Sequence, residues 1–128
     1  MSQKSIVEEF GEQARAFFSK LTNHFKSENL VCKVYMGSKE LFQISNLNYK
    51  ISQNEISIFI KITKEMMSEV VLEYLNTNKA PYINRIEFYD GDVFVVSKDF
   101  TGPEYLAEQK EDLTITYNLD FNYPQLFS

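Results

Sequence analysis

The chain has 128 residues, a formal net charge of −5, 44% hydrophobic residues and 15% aromatic residues. This length suits one domain, and we assign residues 1–128 to it. The acidic balance and the scattered lysines disfavour direct nucleic-acid binding, which relies on clustered basic residues.

Cys32 is the single cysteine, which excludes an intrachain disulfide and suits a reducing compartment. The sequence contains no apolar run of membrane-spanning length and begins without signal-peptide character. We therefore predict a cytosolic or nuclear protein without a membrane partner.

The first predicted element is a helix over residues 6–26. Ser5 and Glu8 form an S-x-x-E pattern, which is typical of a capping box at a helix start. We expect the apolar stripe of this helix to face the core, so that Phe17→Ala destabilises the fold. The stripe consists of Val7, Phe10, Ala14, Phe17, Phe18, Leu21 and Phe25.

Two short strands are predicted next, over 30–36 and 41–45, with a turn at 37–39. The following segment, 52–74, fits two structures. Ile56, Ile58, Ile60 and Ile62 alternate as in a strand, whereas the S-x-x-E pattern of 52–55 predicts a helix start. On the strength of that pattern we predict a helix over 53–67 and a strand over 68–75.

The strongest β signal covers residues 85–99, where two apolar runs flank Asp90-Gly91, a pair favoured in type I′ hairpin turns. The sequence 101–103 (TGP) predicts a chain break after the second strand. The acidic stretch 104–112 predicts an exposed loop or short helix. Alternation over 113–121 predicts a half-buried strand that Pro124 ends.

The predicted hairpin has apolar side chains on both faces, and one helix cannot cover both. Either a further layer of the domain or a partner protein must therefore cover the second face, and the sequence supports these two alternatives nearly equally. One face is predicted to hold Ile86, Phe88, Val93 and Val95. The other face supplies the predicted partner-binding residues, which are Tyr89, Phe94, Val96, Arg85 and Glu87.

Catalytic residues, metal ligands and cofactors are not predicted. The only histidine, His24, and Cys32 do not supply the three or four ligands of a metal site. Phosphate-binding glycine loops and nucleophile elbows are also missing from the sequence. An enzymatic alternative stays open, with paired carboxylates such as Glu87 and Asp99, or with Tyr35 and Tyr117 facing a cavity.

The segment 13–60 carries a family resemblance. A long aromatic-rich helix is followed by L-x-x-x-x-Y-M-G, an apolar strand pair and the S-x-x-E pattern. With SEVVLEYLNTNKAP after it, this segment resembles the nuclear transport factor 2-like family, in particular the small-subunit family of the heterodimeric mRNA-export receptor. The resemblance implies an α+β fold in which an N-terminal helix packs against a curved, mainly antiparallel sheet to form a cone.

The same resemblance implies a non-catalytic subunit of a nuclear transport complex. Such a subunit pairs through its exposed sheet face with a related domain of a larger protein, and the pair binds phenylalanine-glycine repeats in the nuclear pore. We therefore expect a protein partner, either a related domain or a second copy of the chain, in the nucleus and cytoplasm. The alternative is a bacterial or phage interaction protein, such as a toxin-immunity protein or a secretion chaperone, which would be cytosolic.

Overall fold

The fold is described by a computed structural model over residues 6–120, with side chains from residue 12 onward. Its α+β class, with an N-terminal helix and antiparallel strand pairing, is as predicted. The predicted start of the first helix used Ser5, and the predicted end of the last strand used Phe121 and Pro124. These three residues lie outside the described residues. The elements are α1 (Ile6–Phe25), β1 (Leu30–Met36), β2 (Lys39–Ile44), β3 (Asn48–Ile51), β4 (Glu55–Ile62), α2 (Lys64–Glu73), β5 (Tyr82–Asp90), β6 (Val93–Tyr105), a short 3₁₀ helix (Leu106–Glu108) and β7 (Leu113–Asp120).

The described strands form two antiparallel sheets. The larger has the order β2-β1-β5-β6 and the smaller has the order β3-β4-β7. Bulges interrupt the β1–β2 pair and, at two places, the β5–β6 pair, and a bulge bends its strand and increases the local twist. Within residues 6–120, neither helix has both the length and the apolar character needed to cross a bilayer.

Three aromatic rings join α1 to both sheets. Phe25, at the end of α1, lies 5.5 Å from the ring of Phe88 on β5 and 6.1 Å from the ring of Tyr117 on β7. The rings of Phe88 and Tyr117 are 5.2 Å apart. All three side chains are buried in one continuous hydrophobic core. These rings therefore hold the helix and the two sheets together.

Among the described side chains, only part of the predicted α1 stripe faces this core; Val7 and Phe10 lie outside the described side chains. Phe25 is buried, and Phe18 and Leu21 pack against the core cluster. Phe17, predicted to be buried, is 54% exposed. Adjacent residues on a helix are about 100° apart, so Phe17 and Phe18 cannot both point directly at the same core.

The predicted helix over 53–67 is wrong, and so is the predicted strand over 68–75. Residues 55–62 form β4, and the following helix is α2, Lys64–Glu73. In a helix, residues two apart are about 200° apart, so alternating isoleucines would fall on opposite sides. In β4 all four isoleucines lie on one face with no solvent exposure, and this burial outweighs the local capping signal. The side chains concerned are Ile56, Ile58, Ile60 and Ile62.

The S-x-x-E segment is instead the turn between β3 and β4. The Ser52 amide donates a hydrogen bond of 2.9 Å to the Glu55 carbonyl, and Ile51 pairs with Ile56 across the hairpin. The true helix start is at Thr63, whose hydroxyl accepts a 3.2 Å hydrogen bond from the Met66 amide.

The β5–β6 hairpin is confirmed, but its turn is one residue later than predicted. Asp90 pairs with Val93, so Gly91 and Asp92 are the two loop residues. Gly91 has a φ of +61°, and among the described residues no non-glycine residue has a positive φ. A positive φ at the first loop residue only is typical of a type II′ turn rather than the predicted type I′ turn.

β6 is longer than predicted, because the expected chain break at 101–103 does not occur. The strand continues through Gly102 and Pro103 to Tyr105. β6 is an edge strand, and proline is tolerated at an edge because no neighbouring strand requires its amide. Within the segment 104–112, predicted as an exposed loop or short helix, the first two residues belong to β6. The remainder forms the 3₁₀ helix and the loop that leads to β7.

A polar contact fixes the end of α1 to the end of β5. Asp90 accepts a 2.6 Å hydrogen bond from the Ser27 hydroxyl and lies 2.8 Å from His24 Nδ1. The Ser27 hydroxyl, followed by His24, lowers the pKa of the Asp90 carboxyl. His24 therefore has a structural contact here, next to the buried Phe25.

The first prediction concerns the ring cluster. We expect Phe25→Ala to lower the free energy of unfolding by about 3–5 kcal/mol, because it removes a buried ring from the centre of the core. Phe17→Ala is the matched control and should cost clearly less, since half of that side chain is in water. Urea unfolding monitored by circular dichroism measures both. Equal losses for the two variants would contradict the assigned orientation of α1.

The second prediction concerns Asp90. Because its pKa is lowered in the folded state, its stabilising contribution is present above its unfolded pKa and is lost as the pH falls through the folded value. Asp90→Asn should lower the Tm at about pH 7, and the difference from wild type should shrink below about pH 4. Asp92→Asn, in the adjacent turn, should match wild type throughout. A Tm difference for Asp90→Asn that persists unchanged at about pH 3 would disprove the linkage.

Candidate functional site

The outer face of the larger sheet is the face turned away from the core, and it holds most of the predicted partner-binding residues. On β5, Arg85, Glu87 and Tyr89 alternate with the buried Ile86 and Phe88. Phe94 pairs with Tyr89 across the hairpin and so lies on the same face. We call the set Tyr35, Arg85, Glu87, Tyr89, Phe94 and Asp99 the outer patch.

Val96 does not belong to this face, contrary to the sequence prediction. A bulge shifts the register, so that Tyr89 pairs with Phe94 but Phe88 pairs with Val96. Val95 is the extra residue of the bulge. Val96 therefore lies on the face of Phe88 and packs, half-buried, against the core cluster. Simple alternation along β6 could not show this, because one extra residue inverts the facing of every residue beyond it.

Arg85 organises the charged part of the outer patch. Its Nε donates a 2.8 Å hydrogen bond to Glu87, and one terminal nitrogen donates a 2.9 Å hydrogen bond to Asp99 on β6. The carboxylates of Glu87 and Asp99, considered from sequence as a catalytic pair, are thus both paired with one guanidinium. Hydrogen bonds of this charge-assisted kind fix side-chain orientation as well as contributing energy.

Glu87 connects Arg85 to two tyrosines. The Tyr89 hydroxyl donates a 2.9 Å hydrogen bond to Glu87, and Tyr35 on β1 is close enough for its interaction with this carboxylate to influence the pKa of both groups. Burial acts to raise the pKa of Glu87, but the hydrogen bonds from Arg85 and Tyr89, together with the interaction with Tyr35, outweigh it and hold that pKa below its usual value. Burial, followed by the contact with Glu87, raises the pKa of Tyr35 to about 12. Glu87 is therefore ionised at neutral pH and both phenols keep their protons.

The aromatic part of the outer patch lies next to this network. The rings of Tyr89 and Phe94 are 5.4 Å apart in an edge-to-face arrangement, and the ammonium of Lys33 lies 4.5 Å from the centre of the Tyr89 ring. Phe94 is 49% exposed, so no described segment of the chain covers it. The two rings are held in place by neighbours although one of them faces solvent.

The outer face is less apolar than the sequence indicated. Its aromatic pair, Tyr89 and Phe94, lies beside a hydrogen-bonded network of Arg85, Glu87 and Asp99. The predicted second apolar face is thus a mixed aromatic and charged patch. Alternation along β5 identifies Arg85, Glu87 and Tyr89 as side chains of one face, but it does not show that Tyr35 from β1 and Asp99 from β6 meet them.

The residues considered for other chemistry are dispersed. Tyr117 packs among core rings, and Tyr35 lies on the opposite side of the larger sheet. Cys32 has no solvent exposure, and burial raises the pKa of its thiol to about 12, which makes it a poor nucleophile. No group of three or more histidine, cysteine, aspartate or glutamate side chains that could hold a metal ion occurs in the described part of the chain.

A second site was not foreseen from the sequence. Three separate segments form a cleft: the β1–β2 turn, the loop after α2, and the facing ends of β5 and β6. Tyr74, Tyr82 and Tyr105 line it together with Lys39 and Lys79. These residues are distant in sequence and form no motif, so only the fold brings them together.

Comparisons of this chain with protein-family models, with curated proteins and with solved structures found no match.

The third prediction tests the network around Glu87. Glu87→Gln should lower the pKa of Tyr35 from about 12 toward the ordinary tyrosine value, with the burial contribution left in place. Asp99→Asn should leave it unchanged, because Asp99 contacts Arg85 and not Tyr35. NMR titration of the tyrosine ring carbons gives each pKa directly. A Tyr35 pKa that is insensitive to Glu87→Gln would contradict the assigned interaction between Tyr35 and Glu87.

Proposed function

We propose that this chain is a non-catalytic subunit that binds another protein through the outer patch. The observation that carries this proposal is the ring of Phe94, which is 49% exposed yet packed against Tyr89. An exposed aromatic ring of this kind gains free energy when a partner removes it from water. Interfaces are enriched in tyrosine, phenylalanine and arginine, which the outer patch combines.

The charged network favours the same function. Arg85, Glu87 and Asp99 are already oriented by their mutual hydrogen bonds, so binding need not order them. Their position beside the exposed ring corresponds to a polar rim around an aromatic anchor. A partner that places an apolar pocket over Phe94 would complete this arrangement.

The finer proposal is a heterodimer of the nuclear transport factor 2-like type, with a role in nuclear transport or mRNA export and residence in the nucleus and cytoplasm. The sequence resemblance over 13–60 supports it. The order of helix, strand pairs and antiparallel sheet is compatible with it. In that arrangement the partner is a related domain that packs on the sheet face bearing Phe94.

The fourth prediction is that Phe94→Asp weakens partner binding by about 2 kcal/mol or more, roughly thirtyfold in Kd, while the Tm changes little. Leu72→Asp is the matched control, because Leu72 is 67% exposed on α2, outside the outer patch. Tagged wild-type and variant chains, compared in pull-downs and by size-exclusion chromatography with light scattering, test both hetero- and self-association.

Loss of the same partner in Phe94→Asp but not in Leu72→Asp supports the proposal. Equal behaviour of the two variants, or a monomer whose recovered partners are unaffected by Phe94→Asp, would overturn it. Unfolding of Phe94→Asp would assign this ring to the core; Phe94→Ser, which adds no charge, then provides a milder test of the same contact.

A further inference from the structure

The cleft formed by Lys39, Lys79, Tyr74, Tyr82 and Tyr105 has the size and lining of a ligand site. We call it the tyrosine–lysine cleft. Its volume is about 700 Å³, within the range of roughly 300–1,000 Å³ that is usual for small-ligand sites. The proposed protein-binding function makes no use of it, since its lining shares no residue with the outer patch.

The charge of the cleft is opposite to that of the chain. The chain has a net charge of −5, but the cleft lining includes two lysines and no aspartate or glutamate. An anion in the cleft would therefore meet two ammonium groups without a lining carboxylate to repel it. The complementary ligand carries negative charge.

Lys39 is held in position at one wall of the cleft. Its ammonium donates a 2.9 Å hydrogen bond to the Tyr74 hydroxyl and lies 5.1 Å from the centre of the Tyr74 ring. The hydrogen bond to Tyr74, with help from nearby Glu73, raises the pKa of Lys39. Because the Tyr74 oxygen accepts from Lys39, its own proton is available for donation to a bound anion.

The loop that carries Lys79 is also ordered by hydrogen bonds. The Thr77 hydroxyl donates a 2.8 Å hydrogen bond to the Tyr74 carbonyl and accepts one of 3.2 Å from the Lys79 amide. A side chain that bonds to both arms of a loop in this way restricts its backbone. The backbone at Lys79, which lines the cleft together with the β1–β2 turn, is thus ordered.

Aromatic rings form the remaining wall. The rings of Tyr82 and Tyr105 are 5.9 Å apart and tilted by 60°, and Tyr105 is 39% exposed. Gly37 also lines the cleft, with backbone only, and its φ of +60° is one that other residues rarely adopt. An exposed tyrosine ring in a cleft that two lysines also line suits a ligand that joins a flat ring to an anionic group.

We propose that the tyrosine–lysine cleft binds a phosphate monoester that carries an aromatic ring, with the phosphate at Lys39, Lys79 and the Tyr74 hydroxyl and the ring against Tyr105. Two ammonium groups match the charge of a phosphate dianion, and lysine acts as a point charge toward phosphate. The ring contact distinguishes such a ligand from inorganic phosphate. A nucleoside monophosphate and a phosphotyrosine side chain both present this chemistry.

Isothermal titration of the full chain with phenyl phosphate, inorganic phosphate and phenol tests the proposal. Phenyl phosphate should bind most tightly, about tenfold better than inorganic phosphate, because its ring adds a stacking contact that inorganic phosphate cannot make. Phenol should bind far more weakly, since it lacks the charge. Equal binding of phenol would overturn the anion site, and equal binding of inorganic phosphate would overturn the ring contact.

Variants locate the binding. Lys39→Met with Lys79→Met should abolish phenyl phosphate binding, whereas the control Lys110→Met, an exposed lysine outside the cleft, should not change it. Tyr105→Ala should reduce the affinity for phenyl phosphate to that for inorganic phosphate. Binding that survives the double lysine variant would refute the site.

Titration of AMP and of a phosphotyrosine peptide into the same variants then distinguishes the two sources by their relative affinities. Retention of protein partners by the double lysine variant would show that this site is independent of the outer patch. If the partners are retained, a failure of the cleft proposal would not affect the proposed protein-binding function, and a failure of that function would not affect the cleft proposal.

Discussion

The fold depends on the contact among the rings of Phe25, Phe88 and Tyr117. Each ring comes from a different body of the structure: the N-terminal helix, the larger sheet and the smaller sheet. None of these bodies can bury its apolar face by itself, and the rings are the point at which all three faces meet. The hydrogen bonds of Asp90 to Ser27 and His24 then fix the helix end over the sheet. Burial of the rings stabilises the packing of helix and sheets without fixing an orientation, whereas the hydrogen bonds of Asp90 fix the orientation of the helix end.

With the core on one side of β5, the other side of that strand becomes the outer patch. Ile86 and Phe88 point into the core, so Arg85, Glu87 and Tyr89 must point away from it. The bulge on β6 decides which of its residues join them: Phe94 does, and Val96 turns inward. The same bulge holds Phe94 against Tyr89, and this produces an exposed but ordered aromatic pair. Order before binding lowers the entropic cost of forming an interface.

The two proposed sites share β5 but use different parts of it. Arg85, Glu87 and Tyr89 lie from the fourth residue of the strand onward, whereas Tyr82 is its first residue and lines the tyrosine–lysine cleft. The outer patch mixes both signs of charge with an exposed ring, which suits a protein surface. The cleft is a concave site with cations and phenols, which suits a small anionic ligand. One rigid strand can therefore support two binding functions of different chemistry.

The sequence by itself determined the α1 helix, the first hairpin, the β5–β6 hairpin and β7. In these segments the hydrophobic period and the turn residues agree, and local signals are enough when they agree. It also placed Tyr89, Phe94, Arg85 and Glu87 on one face. Over 52–74 the local signals conflicted, and the choice between helix and strand required the burial of four isoleucines against distant elements. The inward turn of Val96, the exposure of Phe17 and the meeting of Lys39, Lys79 and Tyr105 were likewise decided only by tertiary structure, because each depends on strand register or packing between segments far apart in the chain.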